Sequence, residues 1–243
     1  MQFEVFLTGY NVDEKDVSDR TVIVVDVLRT STTIASALHN GAAAVVPVAD
    51  MGEASTLASN LDPLSFLLGG ERSGVRIEGY QFGNSPLEYT TARVKRKILI
   101  LNTTNGTPSI RRAIGAAHLV VGSFVNAERV VDFVSSAGLD TVIVCAGWRN
   151  RVSLEDTLCA GMLLHRLWDG VEPPDSTDTS HIAFTLYQRE QKNILAAVRR
   201  SRHGKRLAQM GRSEDVDFCG SIDILPVLPY FQDSRLVPHA AGG

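Results

Sequence analysis

The chain has 243 residues, 44% of them hydrophobic and 21% charged, which is typical of a globular protein and excludes a disordered or fibrous one. Its 24 Lys and Arg residues against 27 Asp and Glu residues give a net charge of −3, which argues against a dedicated nucleic-acid-binding protein. This length suits one large domain or two small ones that fold without disulfide bonds.

Short apolar runs alternate with helical patterns along most of the chain. The β-branched run at 21–27 predicts a buried strand, and the pattern at 31–40 predicts a helix that stops at Gly41. Further strands are predicted at 44–48, 97–101, 118–121 and 141–145, and further helices at 106–115, 127–137, 153–169 and 182–202. This alternation predicts a layered α/β/α fold with a largely parallel sheet.

The first two strand–loop–helix units share a faint internal repeat with an offset of 76 residues. Asp26 falls opposite Asn102, and Ser31 falls opposite Thr107. The repeat is explained either by two related α/β halves or by the residue pattern that all strand–loop–helix units share. We therefore treat 1–243 as a single unit whose internal boundary is open.

The loop after the first predicted strand combines an acid, an arginine and four hydroxyl residues. Asp26 stands at the strand end, Arg29 follows it, and residues 30–33 read TSTT. A carboxylate can hold a divalent cation or attack phosphorus, and arginine binds phosphate oxygens in bidentate fashion. Helix N-termini favour anions. An N-cap at Ser31 or Thr32 explains only one of the hydroxyls.

Three further segments carry groups suited to an anion or a cation. Residues 102–108 (NTTNGTP) form a polar turn before a helix but are not a P-loop. Glu71 and Arg72 lie in a glycine-bracketed loop, where they form either a surface ion pair or a metal ligand beside a phosphate-binding arginine. Ser85 and Glu88 predict a capping box, which leaves Asn84 free to face a ligand.

The loop after the strand at 141–145 allows two interpretations. Cys145 and Arg151 have the C-x5-R spacing of cysteine phosphatases, in which a thiolate attacks phosphorus and arginine holds its oxygens. Ser153 with Asp156 also predicts a helix cap, which leaves Glu155 as the freer acid.

In chain order these segments read VDVLRTST at 25–32, GERSG at 70–74, GNSPLEY at 83–89, TTNGT at 103–107, and AG followed by SLED within 146–156. Together they resemble the 2-phosphosulfolactate phosphatase family. The tail, with His203, Asp215 and Cys219, resembles the ending of that family, so that the likeness covers nearly the whole chain.

The resemblance implies a Mg²⁺-dependent hydrolase that releases 3-sulfolactate and phosphate from 2-phospho-3-sulfolactate, on one route to coenzyme M. It also implies an α/β fold built from two related subdomains. We expect Asp26, Arg29 and Glu71 to be catalytic, and Asp26, Glu71, Glu155 and Asp156 to be candidate metal ligands. The expected substrate-binding residues are Ser31, Thr32, Arg72, Asn84, Thr103, Thr104, Asn105 and Gly106.

Two other functions remain alternatives to a metal-dependent phosphatase. One is the cysteine-dependent phosphatase built on Cys145 and Arg151, and the other is a non-catalytic protein that binds phosphorylated metabolites. A nucleic-acid module on the basic run at 198–206 is disfavoured, because no aromatic platform accompanies it.

The partner we expect is therefore a small anionic phosphoester, with neither nucleic acid nor membrane involved. Cys145, Cys159 and Cys219 form no CxxC pair, the N-terminus has no signal-peptide pattern, and no apolar run is long enough to span a membrane. We expect a cytoplasmic protein. The oligomeric state is left open, a homo-oligomer included.

Overall fold

The computed structural model describes residues 1–239 as a sheet covered by helices. The strands are β1 (Phe3–Phe6), β2 (Thr21–Val25), β3 (Ala44–Pro47), β4 (Phe66–Arg72), β5 (Val75–Arg76), β6 (Ile98–Asn102), β7 (His118–Gly122), β8 (Thr141–Cys145), β9 (Pro229–Gln232) and β10 (Arg235–Pro238). The α-helices are α1 (Glu14–Val17), α2 (Thr30–His39), α3 (Met51–Ser59), α4 (Thr91–Val94), α5 (Gly106–Arg112), α6 (Ala127–Ala137), α7 (Leu154–Leu167), α8 (Asp178–Glu190), α9 (Ile194–Arg200), α10 (Arg202–Gln209) and α11 (Ser213–Cys219). Within this range no helix is both long and apolar enough to cross a bilayer.

The sheet contains two parallel groups of strands joined by a C-terminal hairpin. Its order is β1-β8-β2-β7-β9-β10-β3-β6-β4-β5. The strands β1, β8, β2 and β7 are mutually parallel, as are β3, β6 and β4. The pairs β7–β9, β9–β10 and β10–β3 are antiparallel. Three reversals in succession mean that the two parallel groups run in opposite directions.

Alternating residues of β2 fill two separate hydrophobic layers, as expected for a strand buried on both faces. Ile23 and Val25 pack with α6 and α7 on one face of the sheet. Val22 and Val24 pack with α2 and α5 on the other. The predicted layered α/β/α fold with a largely parallel sheet is therefore confirmed.

The region 182–202 is helical as predicted, but the chain divides it among α8, α9 and the start of α10. A 3-10 turn at Gln191–Asn193 separates α8 from α9. Ser201 separates α9 from α10, since its hydroxyl accepts a hydrogen bond from the Gly204 amide (2.9 Å) and begins a new helix. This break turns α10 toward the carboxyl ends of β2 and β8.

Candidate active site

One cleft gathers the polar loops that the sequence singles out. The loops after β2 and β6 and the turn between β4 and β5 form one side of it, and the loop after β8 and helix α10 form the other. The cleft is lined by Asp26, Leu28, Arg29, Thr30, Glu71, Ser73, Gly74, Asn84, Thr104, Asn105, Trp148, Arg149, His203 and Arg206. A larger cavity of about 160 Å³ beside β1 contains none of the predicted site residues.

The loop between β2 and α2 is folded by its own hydroxyl groups. The Asp26 amide donates to Ser31 Oγ (2.8 Å), and the Ser31 amide donates to the Asp26 carbonyl (2.9 Å). Thr32 Oγ1 donates to the Val27 carbonyl (2.9 Å). The hydroxyls of Ser31 and Thr32, which were predicted to bind substrate, are thus hydrogen-bonded within the loop. Neither residue lines the cleft. Thr30, another hydroxyl residue of this loop but not one of the expected binding residues, does line it.

The first turns of α2 and α5 meet beside Asp26. Thr30 Oγ1 donates to Thr103 Oγ1 (3.2 Å), which also accepts from the Thr107 amide. Gly106 allows this approach, because a Cβ there would lie 2.4 Å from Thr30 Cβ and 2.6 Å from Asp26 Oδ2. The two loops that the sequence places 76 residues apart are therefore in direct contact.

Glu71 connects two of the loops that border the cleft. Its Oε1 accepts from the Thr104 amide (2.8 Å), and its Oε2 accepts from the Gly74 amide (2.6 Å). The next residue in the strand, Arg72, is exposed and donates to Asn102 Oδ1 (2.8 Å). Glu71 lines the cleft as predicted, whereas Arg72 does not.

Arg29 is held in place by a buried acid that sequence reasoning did not include in the site. Its Nη1 donates to Asp215 Oδ2 (2.5 Å), and both side chains are 3% exposed. Ser85 Oγ donates to Asp215 Oδ1 (2.6 Å). A short 3-10 helix (Pro86–Glu88) does begin after Ser85 as predicted, but the side-chain capping box is absent, because Ser85 binds Asp215 and Glu88 accepts from the Gly83 amide.

Burial raises the pKa of Asp26 from 3.8 to about 6. This value already includes a decrease from the contacts with Thr30 and from the charge of His203, and an increase from the carboxylate of Glu71. The pKa of Asp156 is raised well above its ordinary value by burial and then by the carboxylates of Glu155 and Asp26. A buried cluster of acids therefore stands behind the cleft, and its negative charge favours binding of a cation.

Glu155 and Asp156 lie in the first turn of α7 and contact different partners. Asp156 accepts from the Val27 amide (2.8 Å) and the Gly147 amide (3.1 Å), so that its carboxylate ties the loops after β2 and β8 together. Glu155 Oε1 lies 3.6 Å from His203 Nδ1. Although burial alone would raise the pKa of Glu155, the nearby imidazole of His203 leaves it lowered.

The cleft offers a small oxygen donor set for a metal ion. No group of three or more His, Cys, Asp or Glu side chains suited to hold a metal occurs within residues 1–239. Asp26 and Asn84 both line the cleft, and Asn84 Oδ1 is buried and accepts no hydrogen bond within this range. Mg²⁺ usually takes one or two carboxylates and completes its shell with waters and substrate phosphate. Asp26 and Asn84 fit this requirement better than Glu71 and Asp156, whose oxygens already hold backbone amides.

The structure does not support a cysteine-dependent mechanism. Cys145 is fully buried, and burial together with the nearby Asp156 raises the pKa of its thiol well above the ordinary value. Arg151 is exposed on the outer surface and does not line the cleft. The C-x5-R spacing therefore does not bring a thiolate and a guanidinium to one phosphate site.

Eight residues that line the cleft are not among the site residues expected from the sequence: Leu28, Thr30, Ser73 and Gly74 on one side, and Trp148, Arg149, His203 and Arg206 on the other. His203 lay in the tail that carried the family resemblance, and Arg206 lay in the basic run at 198–206. The signal that could have found Arg149, His203 and Arg206 is the presence of cationic side chains near helix starts in an acidic chain, and Trp148 carries no such signal. Their placement depends on α10 folding back over the carboxyl end of β8, which no local pattern indicates.

The comparisons with known proteins agree over most of the chain. A family model described as 2-phosphosulpholactate phosphatase matches residues 6–234. A probable 2-phosphosulfolactate phosphatase of Symbiobacterium thermophilum is 40% identical, over 92% of this chain and 96% of the relative. Proteins with the same description from Synechococcus sp. and Caldanaerobacter subterraneus subsp. tengcongensis are 39% and 35% identical, each over 94% of this chain and 95% of its own length.

Proposed function

Because this chain belongs to the 2-phosphosulpholactate phosphatase family, we propose that it is a Mg²⁺-dependent phosphatase that hydrolyses 2-phospho-3-sulfolactate to 3-sulfolactate and phosphate. The observation that carries the proposal is the convergence of Asp26, Arg29, Glu71 and Asn84, distant in sequence, in one cleft. The free, buried cysteines suit the cytoplasm, which we propose as its compartment.

Arg29 is the proposed anchor for the phosphoryl oxygens. Asp215 occupies its Nη1 and fixes the plane of the guanidinium, while Arg29 itself lines the cleft. The remaining N–H groups are suited to bind two oxygens of a phosphoryl group. Thr30, at the first turn of α2, adds a hydroxyl on the same side. Preorganised donors of this kind stabilise charge that develops during phosphoryl transfer.

Asp26 and Asn84 are the residues that would hold Mg²⁺. When bound, Mg²⁺ supplies a positive charge that stabilises the phosphoryl oxygens as the ester bond breaks. Glu71 positions the residues around this site by holding the amides of Thr104 and Gly74. Binding energy alone cannot accelerate a phosphomonoester hydrolysis by the required factor, which reaches ~10²¹ for the slowest uncatalysed cases.

His203 is the proposed proton donor to the leaving oxygen. Glu155 lies beside its Nδ1, and Trp148 stacks on its ring, so that the imidazole is fixed where it lines the cleft. As water attacks phosphorus and the ester P–O bond breaks, the alkoxide of sulfolactate takes the proton from His203. The oxygen of the attacking water becomes the fourth oxygen of the phosphate and keeps one of its protons, while the other passes to solvent and balances the proton that His203 takes up again.

The test is phosphate release by the purified chain from 2-phospho-3-sulfolactate, in Mg²⁺ and then in EDTA. We expect turnover with Mg²⁺, loss of turnover in EDTA and recovery when Mg²⁺ is restored. A full rate in metal-free buffer contradicts the metal requirement. Calorimetric binding of phosphoesters with no turnover across a panel of phosphomonoesters contradicts the enzyme and favours the non-catalytic binder.

A further inference from the structure

An outer basic groove extends from the mouth of the cleft. We define it by Trp148, Arg149, Arg151, Arg202, Lys205 and Arg206, which line two adjoining cavities of about 440 Å³ and 260 Å³. Trp148 lines both of these cavities as well as the cleft itself, while Arg149 and Arg206 each line the cleft and one of them. The groove and the cleft are therefore continuous.

The cations of the outer basic groove lack acidic partners. Within residues 1–239, none of its four arginines or its lysine forms an ion pair, and Arg206 donates only to the Ser73 carbonyl (2.9 Å). Arg200, which also lines the larger cavity, differs because it pairs with Glu190, and the neighbouring Arg199 pairs with Asp217. In a chain of net charge −3, uncompensated cations gathered at a cleft mouth attract anions toward it.

Trp148 orders the guanidinium groups around it. The Cζ atoms of Arg149 and Arg202 lie 4.9 Å and 5.2 Å from the centre of its ring system. The His203 ring stacks on it at 5.3 Å with an interplanar angle of 20°. Contacts of this kind hold a guanidinium by its face. The N–H edges stay available for the oxygens of an anion.

The turn that carries Arg149 is backbone-strained. The amides and carbonyls of Trp148 and Arg151 pair across a two-residue turn, in which Arg149 and Asn150 have φ values of 53° and 57°. This left-handed region favours glycine and asparagine over arginine. An arginine kept at such a position, at the mouth of a site, points to a use for its charge.

We propose that Arg149 and Arg202 bind the sulfonate of the substrate and thereby set the specificity for sulfonated phosphoesters. This inference rests on the proposed function. With the phosphoryl group in the cleft at Arg29, the rest of a three-carbon ester extends toward Arg149, which lines the cleft, and Arg202, which lines both adjoining cavities. A sulfonate offers three oxygens to them, and a phosphoester without a sulfonate leaves them without a partner.

The experiment compares kcat/KM for 2-phospho-3-sulfolactate with kcat/KM for 2-phospholactate, which lacks the sulfonate. In Arg149→Asn and, separately, Arg202→Gln, we expect the ratio of the two values to fall roughly 10- to 100-fold, the usual effect of losing a charge-assisted hydrogen bond. Arg149→Asn places a residue that tolerates positive φ in the turn, so that folding is retained. Arg189→Gln, an exposed arginine of α8, is the matched control and leaves the ratio unchanged.

An unchanged ratio in both variants overturns the inference, and so does an equal loss on the two substrates. If the wild-type chain turns over neither ester, the proposed function fails and the groove is tested by calorimetry with 3-sulfolactate and lactate. Selective binding of 3-sulfolactate that weakens at least about tenfold in Arg149→Asn then supports the groove. Selective binding that is unaffected by both substitutions, or no selectivity, overturns it.

Discussion

The Nη1 atom of Arg29 lies 2.5 Å from Asp215 Oδ2, although 186 residues separate the two along the chain. Both side chains are almost wholly buried. The pair joins the loop after β2 to helix α11 and sets the direction in which Arg29 faces the cleft. The phosphate anchor of the proposed site therefore depends on the C-terminal helices.

Asp215→Asn should destabilise the protein by about 3 kcal/mol, because removing one partner leaves the other charge buried without compensation. The KM for the phosphoester should rise as Arg29 loses its orientation. Urea denaturation and steady-state kinetics measure the two effects. Asp217→Asn is the matched control on the same helix, since its pair with Arg199 is exposed and should change stability by less than about 1 kcal/mol. Equal effects of the two substitutions would contradict the role given to Asp215.

Gly106→Ala should lower kcat/KM on the order of 100-fold, because displacement of reacting groups by about 1 Å has effects of that size. The added methyl group would meet Thr30 Cβ at 2.4 Å and Asp26 Oδ2 at 2.6 Å. Gly115→Ala serves as the control, since its nearest neighbour, Glu14 Cγ, is 3.8 Å away. A Gly106→Ala enzyme with wild-type kinetics would show that the two helix starts need not meet so closely.

Asp26→Asn should stabilise the metal-free protein at pH 8 by about 3 kcal/mol, because it removes a buried charge. Since the pKa of Asp26 is raised from 3.8 to about 6, the folded state binds the proton more tightly than the unfolded state. The wild-type chain thus loses this contribution as pH rises from about 4 to about 6, and the gain in the variant should vanish near pH 3.5. Urea midpoints measured in EDTA across this range test the sign, and a gain independent of pH would refute it.

Cys145→Ala should leave kcat within about twofold of the wild-type value, because the buried thiol with its raised pKa takes no part in the reaction. The small cavity should cost about 1 kcal/mol of stability. Phosphate release and thermal unfolding give the two values. A loss of activity on the order of 1,000-fold without unfolding would restore the cysteine-dependent alternative.

Local sequence patterns predicted the bounds of an element well where a buried apolar run or a capping residue determines them. Strand β8 and helix α6 have the predicted bounds, since a β-branched run fills β8 and Gly138, with φ of 67°, ends α6. Helices α2 and α5 begin at Thr30 and Gly106, 76 residues apart, in line with the internal repeat. Whether the repeat reflects two related halves stays a prediction.

Polar contacts between residues distant in sequence could not be predicted from local sequence patterns. Ser85 followed by Glu88 favours a capping box, but the buried Asp215 binds the serine hydroxyl more favourably than a short helix end can. Ser153 caps α7 as predicted, since its hydroxyl accepts from the Asp156 amide, yet the Asp156 carboxylate holds the amides of Val27 and Gly147. In both cases the side chain binds a group that is distant in sequence, which the local sequence pattern does not indicate.

The most direct measurement is phosphate release from 2-phospho-3-sulfolactate by Asp26→Asn in the presence of Mg²⁺. Since Asp26 is the proposed carboxylate ligand at the centre of the cleft, we predict a loss of at least about 1,000-fold in kcat with the fold retained. Asp132→Asn, an exposed acid of α6, should keep the wild-type rate. An Asp26→Asn enzyme that releases phosphate at the wild-type rate would contradict the assignment of this cleft as the active site.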